Sequence, residues 1–176
     1  AYYQSYTREK ILSMREEDFS EYLSKLWAMV IWGNKQYVAD KIMADNGFDV
    51  VRENLADLLW GKGPIETRWD TFRKETKGFG PAMVSELLCH VYPGEYMIWN
   101  KKALIAFQYL GIPKMPKYEY QVTGSKYLAL CEHAKEIMAV MKEEGVEGTN
   151  LLTVDYFLWE ELQVTHNTEE TKDAET

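Results

Sequence analysis

The chain has 176 residues, 46% hydrophobic and 27% charged, a globular balance that excludes a disordered chain and leaves room for one sizeable core or at most two small ones. Its net charge of −8 argues against indiscriminate coating of nucleic acid, because unspecific affinity for phosphates comes from summed positive charge. No apolar run approaches the roughly 18 residues that span a bilayer, and the start, Ala1-Tyr2-Tyr3-Gln4, lacks a leader pattern, so a soluble, cytoplasmic protein with no membrane partner is expected.

Helical periodicity dominates in chain order. From Asp18 to Ile31 the residues Phe19, Tyr22, Leu23, Leu26, Trp27 and Val30 recur at three- and four-residue steps, predicting an amphipathic helix with that stripe inward. Asn34 to Asp45 reads as a second helix stopped by Gly47. Asp49 to Trp60 reads as a third, with Val51, Leu55, Leu58 and Leu59 inward and Gly61 and Gly63 ending it. Pro64 suits the first turn of a fourth. Residues 111–122, with Pro113 and Pro116, read as a connection, and Thr123 caps a long helix running to Gly145. Asn150 to Gln163 mixes strand and helix signals, with helix preferred. The fold class expected is all-α, as one domain over residues 1–163. The acidic stretch 164–176, with four acids against one Lys, reads as a linker or tail.

Of the six Trp, Trp27, Trp60, Trp99 and Trp159 are expected in the core, and Trp32 and Trp69 outside it. Cys89 and Cys131 sit in helical patterns without the neighbours of a zinc site, which predicts reduced core thiols. No metal and no cofactor are expected. Glu86 and His90 stand one turn apart and off the Val84–Leu88 stripe, predicting a hydrogen-bonded surface pair rather than a metal site. Ser85 lacks the base and orienter of a nucleophile, so no catalytic residue is assigned.

Charge is unevenly spread, and residues 61–102 hold seven Lys or Arg against five acids. Within them Lys74 to Leu88 reads as the end of one helix, a Gly78-Phe79-Gly80 turn and a second helix opened by Pro81. Glycines let a backbone approach closely, and the first N–H groups of the next helix point outward with the positive end of its dipole. Such a turn makes an anion site, with a phosphate as its natural guest.

This stretch, at about 65–92, resembles the helix-hairpin-helix motif, in which the hairpin backbone holds a DNA phosphate whatever the sequence. The following Glu95 to Ile112 resembles the region after the hairpin in helix-hairpin-helix DNA glycosylases. There the position of the catalytic Asp is Asn100, and that of the Schiff-base Lys of bifunctional members is Ala82. A carboxamide is no base near neutral pH and the amine is absent, so base excision is not expected.

A second resemblance covers more of the chain. Pro64-Ile65-Glu66, Lys77-Gly78-Phe79-Gly80-Pro81, Ser85-Glu86-Leu87-Leu88, Tyr92-Pro93, Trp99-Asn100-Lys101 and Asp155-Tyr156-Phe157-Leu158-Trp159 are similar to regions ahead of AAA+ motor domains in McrB-like restriction proteins. That resemblance implies a target-recognition domain for double-stranded DNA, plain or methylated, working with a GTP-driven motor in the same chain and a partner nuclease subunit. No Gly-x-x-x-x-Gly-Lys-Ser/Thr loop occurs within these residues, which places such a motor after Thr176.

The DNA-contacting residues expected are Lys74, Lys77, Gly78, Phe79, Gly80, Pro81 and Ser85 at the hairpin. Trp99, for which core packing is the favoured reading, and Asn100 are the candidates for reading an exposed base, and Lys101 and Lys102 for flanking the phosphate track. The rival expectation is a protein-interaction or assembly domain whose hairpin is only structural.

Overall fold

The computed structural model describes residues 2–162; Gln163 and the acidic stretch 164–176 lie outside them. Ten α-helices and no strand occur among the described residues, so the fold is all-α. Two short helices that periodicity did not predict come first, α1 (Tyr2–Ser5) and α2 (Arg8–Leu12). Thr7 Oγ1 caps α2 by accepting from Lys10 N–H, and the two helices dock on later elements.

Helix α3 (Glu16–Ser24) ends a full turn and more before the predicted Ile31. In a continuing helix the N–H groups of Trp27 and Ala28 would bond to the carbonyls of Leu23 and Ser24. Instead both donate to the Glu86 carboxylate at 2.8 Å, Leu26 N–H takes Leu23 O, and Lys35 Nζ takes Ser24 O at 3.3 Å. The chain turns through a 3-10 segment at Trp27–Met29, and Trp27 and Val30, expected inward, are exposed.

Helix α4 (Lys35–Asn46) starts where Asn34 Oδ1 accepts from Tyr37 N–H, and α5 (Phe48–Trp60) buries the predicted Val51, Leu55, Leu58 and Leu59. Then follow α6 (Ile65–Glu75), α7 (Pro81–Val91), α8 (Lys101–Tyr109) and, after a 3-10 turn at Glu119–Gln121, α9 (Gly124–Glu143). The last helix, α10 (Leu151–Phe157), passes into a π-turn at Leu158–Leu162. The buried hydrophobic side chains form one continuous cluster from Tyr3 to Leu158.

The central element is α7, packed by α1, α5, α10 and the Trp27–Met29 turn. It is buried nearly all round rather than on one stripe, so Ser85 and Glu86 are interior as well. Both cysteines are buried free thiols; burial pushes Cys131 up to about 11 and Cys89 higher still, which keeps them protonated and unreactive.

Three tryptophan expectations are reversed. Trp69, placed outside the core, is buried between α6 and α9, stacked on Tyr127 at 4.1 Å with its Nε1 donating to Val122 O. Its spacing from Ile65 and Phe72 is the stripe that faces α9. Trp27 and Trp159, placed inside, are both substantially exposed.

The α6–α9 contact is close because Gly124 opens α9. A Cβ there would stand 2.1 Å from Glu66 O, and Gly124 N–H donates to Asp70 Oδ1 at 2.8 Å. Gly124→Ala is therefore expected to lower stability by on the order of 1–3 kcal/mol in urea unfolding, as overpacking does. A change within about 0.5 kcal/mol, typical of a neutral surface substitution, would contradict so tight an approach.

Candidate functional site

The turn between α6 and α7 is held from behind. The Asn46 carboxamide, at the end of α4, grips the Lys77 backbone on both sides, accepting from its N–H at 2.7 Å and donating to its carbonyl at 2.9 Å. Gly78 has φ +94°, and a Cβ there would stand 2.7 Å from Ile42 Cγ1, so the turn backbone is pressed onto α4. Thr76 Oγ1 accepts from Asn54 Nδ2, and Phe79 is buried edge-on to Phe72 at 5.1 Å. Lys74 and Lys77 remain exposed at the end of α6 and in the turn.

Beyond the turn, Gly80 and Pro81 open α7, whose first N–H groups have no side-chain cap. Asn100 caps α8, its Oδ1 accepting from Ala103 N–H at 2.9 Å. Both helix starts border one cleft of about 320 Å³. Pro81 and Ala82 stand on one side, Trp99, Asn100 and Lys101 on another, and Lys117, Tyr118 and Glu119 on the third. The cleft thus brings together Pro81, Trp99, Asn100 and Lys101 of the expected residues.

Several expected side chains are placed elsewhere. Ser85 is fully buried, its Oγ accepting from Trp99 N–H at 2.8 Å, so it ties α7 to the segment before α8 and cannot reach a phosphate. Phe79 is likewise interior. Trp99 borders the cleft but is mostly buried, tilted against Phe107, which leaves no open face for stacking. Lys102 sets its Nζ 5.1 Å from the centre of the Trp159 ring.

The third wall was read from sequence only as a connection. Its signal was a Lys and three aromatic or acidic neighbours in a surface loop, where binding residues concentrate. The Glu119 carboxylate lies against the hairpin, 3.3 Å from where a Gly80 Cβ would be, at the positive end of α7. Arg73 Nη1 donates to Glu119 O, drawing this loop to α6, and burial lowers the Arg73 guanidinium from its usual value despite Glu119 and Asp70. Tyr118 and Tyr120 are exposed and stack in parallel at 5.7 Å.

A separate polar cluster sits further along α7. Glu86 and His90 do pair, 3.0 Å apart, but the expected surface position is wrong, since Glu86 is 1% exposed. Tyr3 stacks on His90 at 4.8 Å and Trp27 meets it edge-on. Burial, and secondarily Glu86, push the nearby Asp155 carboxyl up to about 7, with His90 opposing. Among the described residues no group of three or more His, Cys, Asp or Glu could hold a metal ion.

A carboxyl raised in the folded state favours folding when protonated. Its contribution is fully present below the unfolded value near 4 and is lost as pH rises through about 7. Asp155→Asn is accordingly expected to stabilise the chain more at pH 8 than at pH 5, by roughly 1–3 kcal/mol in paired urea titrations. An equal effect at both pH values would remove the case for a buried titrating carboxyl.

Comparison of the chain with protein-family models, curated proteins and solved structures returns no match.

Proposed function

We propose that this chain is a non-catalytic DNA-binding module, the target-recognition part of a restriction system similar to the McrB-like proteins. The observation that carries the reading is the convergence of two helix N-termini, those of α7 and α8, on one cleft flanked by Lys101 and Lys117. Each helix start offers N–H groups and a positive dipole end to an anion. The rigid Lys77–Gly80 turn would hold a phosphate by its backbone, with Lys74 and Lys77 beside it, positioning a duplex without reading its bases.

Two features support the absence of base excision. Asn100 has no carboxylate, and its carboxamide oxygen is engaged by Ala103 N–H; Ala82 supplies no amine at the hairpin position. Any reading of a base falls to the cleft walls, where Tyr118 and the Asn100 Nδ2 remain as stacking and donor groups. In this proposal the GTP-driven motor and the nuclease belong to other parts of the system. The rival assembly-domain reading draws on a different surface, the exposed apolar loop after α3.

Glu119, whose carboxylate stands 3.3 Å from where a Gly80 Cβ would be, sets a negative charge beside the start of α7 that opposes an incoming phosphate. Fluorescence anisotropy with labelled plain and methylated duplexes tests the reading. Binding at low salt that weakens as salt rises is expected. Lys77→Glu should weaken it by on the order of 1–3 kcal/mol, similarly across sequences, and Glu119→Gln should strengthen it by about 1 kcal/mol. Failure to bind any duplex at low salt would overturn the proposal, as would an unchanged affinity in folded Lys77→Glu and Lys101→Glu variants.

A further inference from the structure

The loop between α3 and α4, residues 25–34, turns its apolar side chains outward: Trp27 is 52% exposed, Val30 70%, Ile31 85% and Trp32 50%. Single exposed apolar residues are ordinary, but four within six residues make a patch of the kind that marks a contact surface. The base of the loop is not free to rearrange. Glu86, a carboxylate taken almost wholly out of water, holds the N–H groups of Trp27 and Ala28, and Lys35 Nζ bonds across the loop to Ser24 O. The apolar residues are therefore presented from a rigid mount, which lowers the ordering cost of binding.

Beside this loop α3 and α4 flank a groove of about 490 Å³ whose carboxylates, among the described residues, are Glu16, Glu17, Glu21 and Asp40, against the single cation Lys35. Lys35 and Ser24 line the groove and are also bonded across the loop, so the acidic and apolar surfaces adjoin. Glu21 meets Lys25 only at 3.7 Å and Asp40 accepts from Gln36, while among the described residues Glu16 and Glu17 make no ion pair.

We propose that α3, the 25–34 loop and α4 form a docking surface for a basic segment of another protein, one carrying Lys or Arg for the groove and apolar side chains for Ile31 and Trp32. Charge complementarity selects this occupant. Four carboxylates repel a nucleic-acid backbone, and a second copy paired through this same face would bring acid against acid. The inference is independent of the DNA-binding proposal, since none of these residues borders the cleft between α7 and α8.

A displayed library of random 16-residue peptides, selected on the whole chain and counter-selected on its Glu17→Lys, Ile31→Ser variant, tests it. Both replacements are on exposed side chains, and Glu16→Lys substitutes for Glu17→Lys if circular dichroism shows a folding defect. Enriched peptides should be net positive with apolar residues interspersed. One of them, synthesised with a fluorophore, should bind at least tenfold more weakly to each single variant and lose affinity as salt rises. No enrichment over the counter-selected chain, or enrichment of neutral or acidic peptides, would overturn the proposal. So would sedimentation showing a dimer of the parent chain that Ile31→Ser abolishes, because the occupant would then be a second copy.

Discussion

A carboxyl group leaves water only if hydrogen-bond partners replace its hydration, and in this chain that constraint falls on Glu86. It lies on α7, the helix around which the rest is arranged, and it is met by two backbone N–H groups of the Trp27–Met29 turn and by the ring of His90. The two N–H donors come from a segment 59 and 58 residues earlier in the chain, so satisfying Glu86 fixes where α3 must stop. Removing the carboxylate would leave two part-buried N–H groups unmatched, which is more damaging than the loss of one ordinary hydrogen bond. The Tyr3 and Trp27 rings packed on His90 close the same cluster from α1 and from the turn.

Ser85, one residue earlier, performs a similar task on a different neighbour. By accepting from Trp99 N–H it holds the residue preceding the α8 cap, and so sets the start of α8 relative to the start of α7. The cleft between those two helix starts is thus a consequence of an interior hydroxyl, not of surface residues alone. On the other side Asn46 and Ile42 press the hairpin turn from α4. The turn backbone is braced by α4 through Asn46 and Ile42 and by α5 through Asn54, which is the preorganisation an anion site needs because little ordering remains to oppose binding.

The two sides of the chain differ in chemistry. The cleft between α7 and α8 carries Lys101 and Lys117 with the uncapped start of α7, whereas the groove between α3 and α4 carries four carboxylates. A net charge of −8 is therefore not a uniform field, and one chain can present an anion-receptive face and a cation-receptive face. Glu119 is the exception on the first face, where its carboxylate lies close to Gly80.

Local information in the sequence determined the helical class, the starts of α4, α6 and α9 at Asn34, Pro64 and Thr123, and the turn at Gly78. Each depends on periodicity, capping or backbone freedom within a few neighbouring residues, which is why it can be read without a fold. The early end of α3, the burial of Trp69 and Ser85, and the exposure of Trp27 and Val30 were decided by tertiary structure. In each case the deciding partner is distant in the chain: Glu86 for the α3 turn, Tyr127 and Val122 for Trp69, Trp99 for Ser85. The same holds for the candidate site, where Asn100 and Pro81 were legible but Lys117, Tyr118 and Glu119 were not, because a loop's composition says nothing of which helix starts it will fold against.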